Sequence, residues 1–234
     1  MLIIIQEHIT EYGYHWNFFF TLALVPPFVN FFQSLLYFLP SRFVTVKHLP
    51  IIYAILSILV ASTYQAILET TGLKRFILVG EREPWGLIGW NKEGLFSFFG
   101  YLAIFLSGMS AGGYLLPSGL DTAPTKKSVV GPMGKRLLMW SAFWVFAAFV
   151  TIEYRGLGLV VSRRIANLPY VLWIAAFNTC QITAFYLIES FFFGINKATG
   201  VKRDQERYKL ATSPILETFN NEGLPLFLIV SLSA

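Results

Sequence analysis

Four short polar clusters hold the side chains of this chain that could do chemistry. The first contains Glu11, His15 and Asn17. Glu11 and His15 lie four residues apart, so a helix that starts early would set them on one face, with His8 three residues before Glu11. A His/Glu/His face can hold a metal ion or move protons. The same string, rich in Tyr and Trp, also reads as an aromatic belt at a membrane surface, and Gly13 argues against an unbroken helix. No metal is expected on this face.

The second cluster is Trp90, Asn91, Lys92, Glu93 and Gly94. Asn91 is placed to cap a helix, with Glu93 near the positive end of its dipole. The other reading of Lys92 and Glu93 is a polar pair at the edge of a bilayer. In the third cluster, Ser162, Arg163, Arg164 and Asn167, the adjacent arginines can clamp a phosphate through paired hydrogen bonds or snorkel to lipid heads. The fourth runs from Glu217 to Gly223 and reads as a helix cap.

The elements that must position these clusters are membrane helices. Of the 234 residues 55% are apolar and only 13% are charged, against about a quarter in a soluble domain. The deficit is concentrated in five uncharged runs at 16–41, 49–68, 94–120, 137–152 and 165–188, and the rest of the chain has ordinary charge density. This excludes a disordered chain, a disulfide scaffold and a soluble nucleic-acid binder. About 20 apolar residues cross a hydrocarbon core about 30 Å thick. Four runs suffice, and the run at 137–152 must extend through Glu153 and Tyr154 or sit in a thinned bilayer. A sixth apolar run opens at Gly223 and stops at Ala234, so the chain is expected to be cut off inside a membrane helix. The runs do not alternate as barrel strands would. The expected fold is an all-α polytopic transmembrane bundle of about five spans plus a truncated sixth. It forms one integral-membrane domain over residues 1–234.

Alternate crossings put the first three clusters at the mouths of the first, third and fifth spans, on one side of the bundle. The loops on the opposite side carry 11 Lys and Arg residues against 7 on the cluster side, so the positive-inside rule favours a cytosolic placement for the former. The net charge of +5 suits anionic lipid heads or a phosphorylated substrate; nucleic acid is not expected.

Within the runs, Pro26 and Pro27 predict a kink in the first span. Gln65, Asn178, Thr179 and Gln181 could bond between helices, and the lone Cys180 reads as a small buried hydrophobe. Glu189 is a candidate near the end of the fifth span. The glycines and serines at 107–113 would allow close helix approach or an acyl-chain groove, of which close packing is the commoner outcome. These residues by themselves leave open a lipid transporter or scramblase and a non-catalytic membrane scaffold.

The strings EHITEYGYHWNFFFT, NKEGLFSFFGYLAIFLSG, SRRIANLPYVLWIAAFNT and ETFNNEGL resemble the GPI inositol acyltransferase family. In fungi it is called GPI-anchored wall transfer protein, and in animals phosphatidylinositol-glycan class W protein. The resemblance runs from about Gln6 to Leu228, in the family's order. Family members are longer, so the resemblance implies that this chain is their C-terminal half and that IVSLSA after Leu228 departs from the family. It implies further that the best candidates for the acid/base pair precede this half, so that the piece alone is inactive.

The resemblance implies a multi-pass enzyme of the endoplasmic reticulum membrane that acts in GPI-anchor biosynthesis. It transfers a fatty acyl group from acyl-CoA, a co-substrate, to the inositol of glucosaminyl-phosphatidylinositol, with no bound cofactor. Glu11, His15 and Asn17 are then expected to line the reaction vestibule, with Lys92 and Glu93 in support. Arg163, Arg164 and Asn167 are expected to bind phosphate.

Overall fold

A computed structural model describes residues 12–38, 48–115, 132–153 and 159–192, together with 213, 217 and 221–223. Within them the regular structure is helical: α1 (Phe18–Tyr37), α2 (Leu49–Thr70), α3 (Leu73–Val79), α4 (Gly86–Trp90), α5 (Lys92–Leu115), α6 (Pro132–Glu153) and α7 (Leu168–Phe192), with a short 3-10 turn at Glu83–Trp85. Five stretches are long and apolar enough to cross a membrane, those centred on α1, α2, α5, α6 and α7. The uncharged run at 137–152 becomes a 22-residue helix because α6 starts earlier, at Pro132, and ends at Glu153. Pro26 and Pro27 lie inside α1, which runs on through both. The sixth apolar run after Gly223 lies outside the described residues.

The chain divides into two units, residues 1–184 and 185–234. In the first, α2 and α5 form the central pair. Val25 and Val29 of α1 pack with Tyr53, Phe98, Leu102 and Leu106. On the other side, Ala54 of α2 meets Trp144 and Ala148 of α6 and Leu172, Ala175 and Ala176 of α7. In the second unit, Ser190 Oγ donates back to the Tyr186 carbonyl at 2.8 Å, and the Glu217 amide to the Ser213 carbonyl at 3.0 Å.

The interior mixes apolar side chains with small polar ones, and the outer surface is apolar. Thr21, Ser57, Ser97, Ser110, Ser141, Thr179 and Thr183 are buried, whereas Phe19, Phe146, Phe149 and Phe177 are exposed. In a bilayer, apolar rings gain nothing from being sequestered. Helices associate through small residues and interhelical hydrogen bonds instead. Ser57 Oγ donates to the Ala103 carbonyl at 2.7 Å between α2 and α5, and Ser141 and Thr183 share a hydrogen bond of 2.7 Å between α6 and α7. Replacing Ser57 with alanine should cost about 0.6 kcal/mol, typical of such bonds in membranes. Unfolding of the detergent-solubilised full-length protein would measure it, and a loss above about 2 kcal/mol would show that packing, not the bond, dominates there.

Two sequence expectations change here. Cys180 is exposed on α7, and so are Asn178 and Gln181; of the four polar residues singled out within the spans, Gln65 and Thr179 are the buried ones. Close helix approach does not centre on 107–113, because Gly108 and Gly112 face open space among the described residues. Gly113 does abut Pro50. The tightest approaches lie nearer the start of α5, at Gly94 against the Trp16 ring and at Gly100 against the Ala166 carbonyl. Glu189 belongs to α7, but its side chain lies outside the described residues.

Candidate functional site

The stretch between α2 and α5, read from sequence as a loop, is folded. Thr71 closes α2 through its amide to the Ile67 carbonyl, and Gly72 follows at φ +71°, the left-handed position glycine tolerates. α3, the 3-10 turn and α4 then bring the chain back to Asn91, where α5 begins.

Onto this junction docks the segment before α1. Tyr14 donates its amide to the Trp90 carbonyl at 3.0 Å, and Gly94 donates its amide to the Tyr12 carbonyl at 2.8 Å. Between them, the His15 amide donates to Asn91 Oδ1 at 2.8 Å, while Asn91 Nδ2 donates to the Leu87 carbonyl. Asn91 therefore joins two chain segments instead of capping α5 with its side chain. Gly13, at φ +128°, lies so close to Trp90 and Asn91 that a side chain has no room.

This docking overturns the early-helix reading of the first cluster. Residues 12–17 are non-helical, and α1 starts at Phe18 with Asn17 as its cap, Oδ1 accepting from the Phe19 amide at 3.4 Å. His15 therefore takes no part in a helical face with Glu11, which itself lies outside the described residues with His8. The His15 ring is exposed and meets Trp90 edge-on. Among the described residues its ring nitrogens have no hydrogen-bond partner. No group of three metal-ligating side chains gathers among those residues.

Lys92 and Glu93 are the most deeply buried charges of the site. Lys92 Nζ donates to the Phe76 carbonyl at 2.8 Å and to the Gly80 carbonyl, and it lies over the Phe76 ring. It thus caps the C-terminal end of α3, where the helix dipole favours a cation. Glu93 is fully buried. Its Oε1 accepts from Arg82 Nη2 at 2.7 Å and from Arg164 Nη2 at 3.0 Å. Its Oε2 has no partner among the described residues. Arg82 also donates through Nη1 to the Trp90 carbonyl and lies over the Tyr14 ring.

The third cluster is a turn held from several directions. Asn167 Nδ2 donates to the Val160 carbonyl at 2.8 Å, and its Oδ1 accepts from the Ser162 amide at 3.0 Å. Tyr64 donates to the Ile165 carbonyl at 2.9 Å, and Gln65 Oε1 accepts from the Leu168 amide at 3.1 Å. Both side-chain ends of Asn167 are committed to main chain, so its part is to shape the loop that presents Arg163 and Arg164. Arg163 lies beside the Tyr101 hydroxyl.

The three clusters thus meet at one end of the first unit, as alternate crossings require. His15, Lys92, Glu93, Arg163, Arg164 and Asn167 are all held in this region. Arg82 was missed, since a lone arginine between two glutamates reads as loop charge; its partner Glu93 is eleven residues away. Among the described residues the assembly carries more cationic than anionic side chains, which suits an anionic ligand.

The GWT1 family model matches residues 4–233. GPI-anchored wall transfer protein 1 of Aspergillus oryzae is 46% identical over 231 residues, 97% of this chain and 44% of that protein. The proteins of the same name from Gibberella zeae and Aspergillus fumigatus are 44% and 42% identical, each over 97% of this chain. The chain spans less than half the length of these curated relatives. No solved structure matches it. A match across nearly the whole chain, in a helical membrane bundle whose polar clusters meet at one end, leaves one assignment: this chain belongs to the GPI-anchored wall transfer protein family.

Proposed function

We propose that the chain is part of an acyl-CoA-dependent acyltransferase of the endoplasmic reticulum membrane. It moves a fatty acyl group to an inositol hydroxyl of glucosaminyl-phosphatidylinositol during GPI-anchor biosynthesis. Family membership supports the pathway, and the observation that carries the chemistry is the cation-rich assembly beside the exposed His15 imidazole. Both substrates are phosphate esters with lipid tails, and they suit a site at the end of a membrane bundle.

The inositol oxygen attacks the thioester carbonyl carbon. A C–O ester bond forms, the C–S bond breaks, and coenzyme A leaves as the thiol. The hydroxyl proton must go to a base, and the oxyanion must meet a donor. In this reading, and against the expectation that the acid/base pair precedes this half, His15 takes the proton and Asn17 sets the start of α1, while Glu11 lies outside the described residues. Arg163 and Arg164 hold phosphate. Lys92, Glu93 and Asn167 support them by fixing the two loops.

The test uses the full-length protein with radiolabelled palmitoyl-CoA and glucosaminyl-phosphatidylinositol. Wild type should form acylated lipid, and H15A should lose about a hundredfold or more in kcat, the usual worth of a general base. Unchanged kcat and KM in H15A would remove His15 from the mechanism, and absence of acyl transfer in wild type would overturn the reading itself.

A further inference from the structure

We infer that Arg82 contacts substrate phosphate, forming with Arg164 a clamp that Glu93 holds in place; the inference rests on the acyltransferase reading above. Both guanidinium groups send one Nη2 to the same carboxylate oxygen, at 2.7 and 3.0 Å. Two donors on one oxygen are close enough to be bridged by one tetrahedral anion. One carboxylate balances only one of the two cations, and the charge of Lys92 adds to the excess. If neutralising Glu93 were the whole purpose, one arginine bound through both nitrogens would do it with better geometry. Instead each guanidinium leaves N–H groups over. The Arg82 and Arg164 side chains keep 21% and 40% of their surface exposed, whereas Glu93 keeps none. The carboxylate is thus the inner anchor and the two forks are the outer face.

The forks are also fixed before a ligand arrives. Arg82 is held by the Trp90 carbonyl and the Tyr14 ring, and Arg164 by a turn that Tyr64, Gln65 and Asn167 pin down. Little side-chain freedom is left to lose on binding, which favours affinity. The Trp90 carbonyl that holds Arg82 also receives the Tyr14 amide, one residue before His15, so the clamp and the proposed base share one support. The anion is a phosphate, carried either by coenzyme A or by the inositol lipid.

The test is R82K and R164K in the full-length enzyme. Lysine keeps the charge that Glu93 needs but lacks the planar fork that grips phosphate. KM is measured for acyl-CoA with lipid saturating and for lipid with acyl-CoA saturating. Stabilisation of the solubilised protein by free coenzyme A and by short-chain phosphatidylinositol is measured alongside. The expected result is one KM raised about tenfold or more, as for a lost charge-assisted bond, beyond any fall in kcat or melting temperature. The affected substrate identifies the source of the phosphate. Unchanged KM values and unchanged stabilisation by both ligands in R82K would overturn the clamp, whether or not the protein melts earlier. If wild type transfers no acyl group yet R82K abolishes stabilisation by one of the ligands, the clamp stands and the acyltransferase reading falls.

Discussion

Replacing Glu93 with glutamine is expected to lower the stability of the solubilised full-length protein by about 3 kcal/mol and to remove most of its activity. Glu93 is fully buried at the start of α5, and it ties together two segments far apart in sequence. Arg82 comes from the folded stretch after α3, and Arg164 from the turn before α7. With the charge gone, only a neutral amide oxygen is left between the two guanidinium groups, and their repulsion with each other and with nearby Lys92 is no longer offset. Breaking a buried ion pair from one side costs about 3–5 kcal/mol. The lower end applies because Arg82 and Arg164 are partly exposed and can rehydrate. A double-mutant cycle separates this from general damage. Adding R164Q to E93Q should cost much less than R164Q does alone, since the interaction it removes is already lost. If E93Q melts with wild type, the carboxylate is not what joins the two segments.

Gly100→Ala should be nearly as damaging, for a steric reason. A Cβ at position 100 would sit 1.9 Å from the Ala166 carbonyl oxygen and 2.5 Å from the Ala166 Cβ. Neither is the loose end of a flexible side chain. Position 166 is main chain in a turn fixed by three side-chain contacts, and Ala166 itself has φ +44°. Either α5 or the turn must shift, at about 2–3 kcal/mol for overpacking of this kind. Because that turn carries Arg163 and Arg164, activity should fall further than stability explains. A166G should not rescue the variant, since the closer clash is with the carbonyl, which glycine keeps. Rescue by A166G, or a G100A protein with wild-type melting and activity, would show that the turn yields freely.

Much of the architecture was legible in the chain. The uncharged runs mark the spans because charge is costly in hydrocarbon, and no tertiary context changes that rule. Their alternation required the first three clusters to share one end, and they do. The Arg163–Arg164 pair and the buried Lys92–Glu93 pair could be picked out as unusual because they abut uncharged runs where water is scarce. The resemblance to the family rested on strings three of which contribute residues to this end of the first unit.

What the chain could not reveal is which polar atom serves which neighbour. His15 and Glu11 sit at helical spacing, yet the docking of 12–16 onto 90–94 overrides that periodicity with backbone hydrogen bonds to a distant segment. Asn91 has the composition of a helix cap and serves as a joint between segments for the same reason. Arg82 carried no local signal at all, because its role exists only once α3 and α4 fold back and bring it to Glu93. Membrane partition is a property of each segment by itself, so it could be read from residue types alone. Ion-pair partners and the sub-van der Waals room at Gly100 depend on contacts between segments up to 71 residues apart, and only the folded bundle decides those.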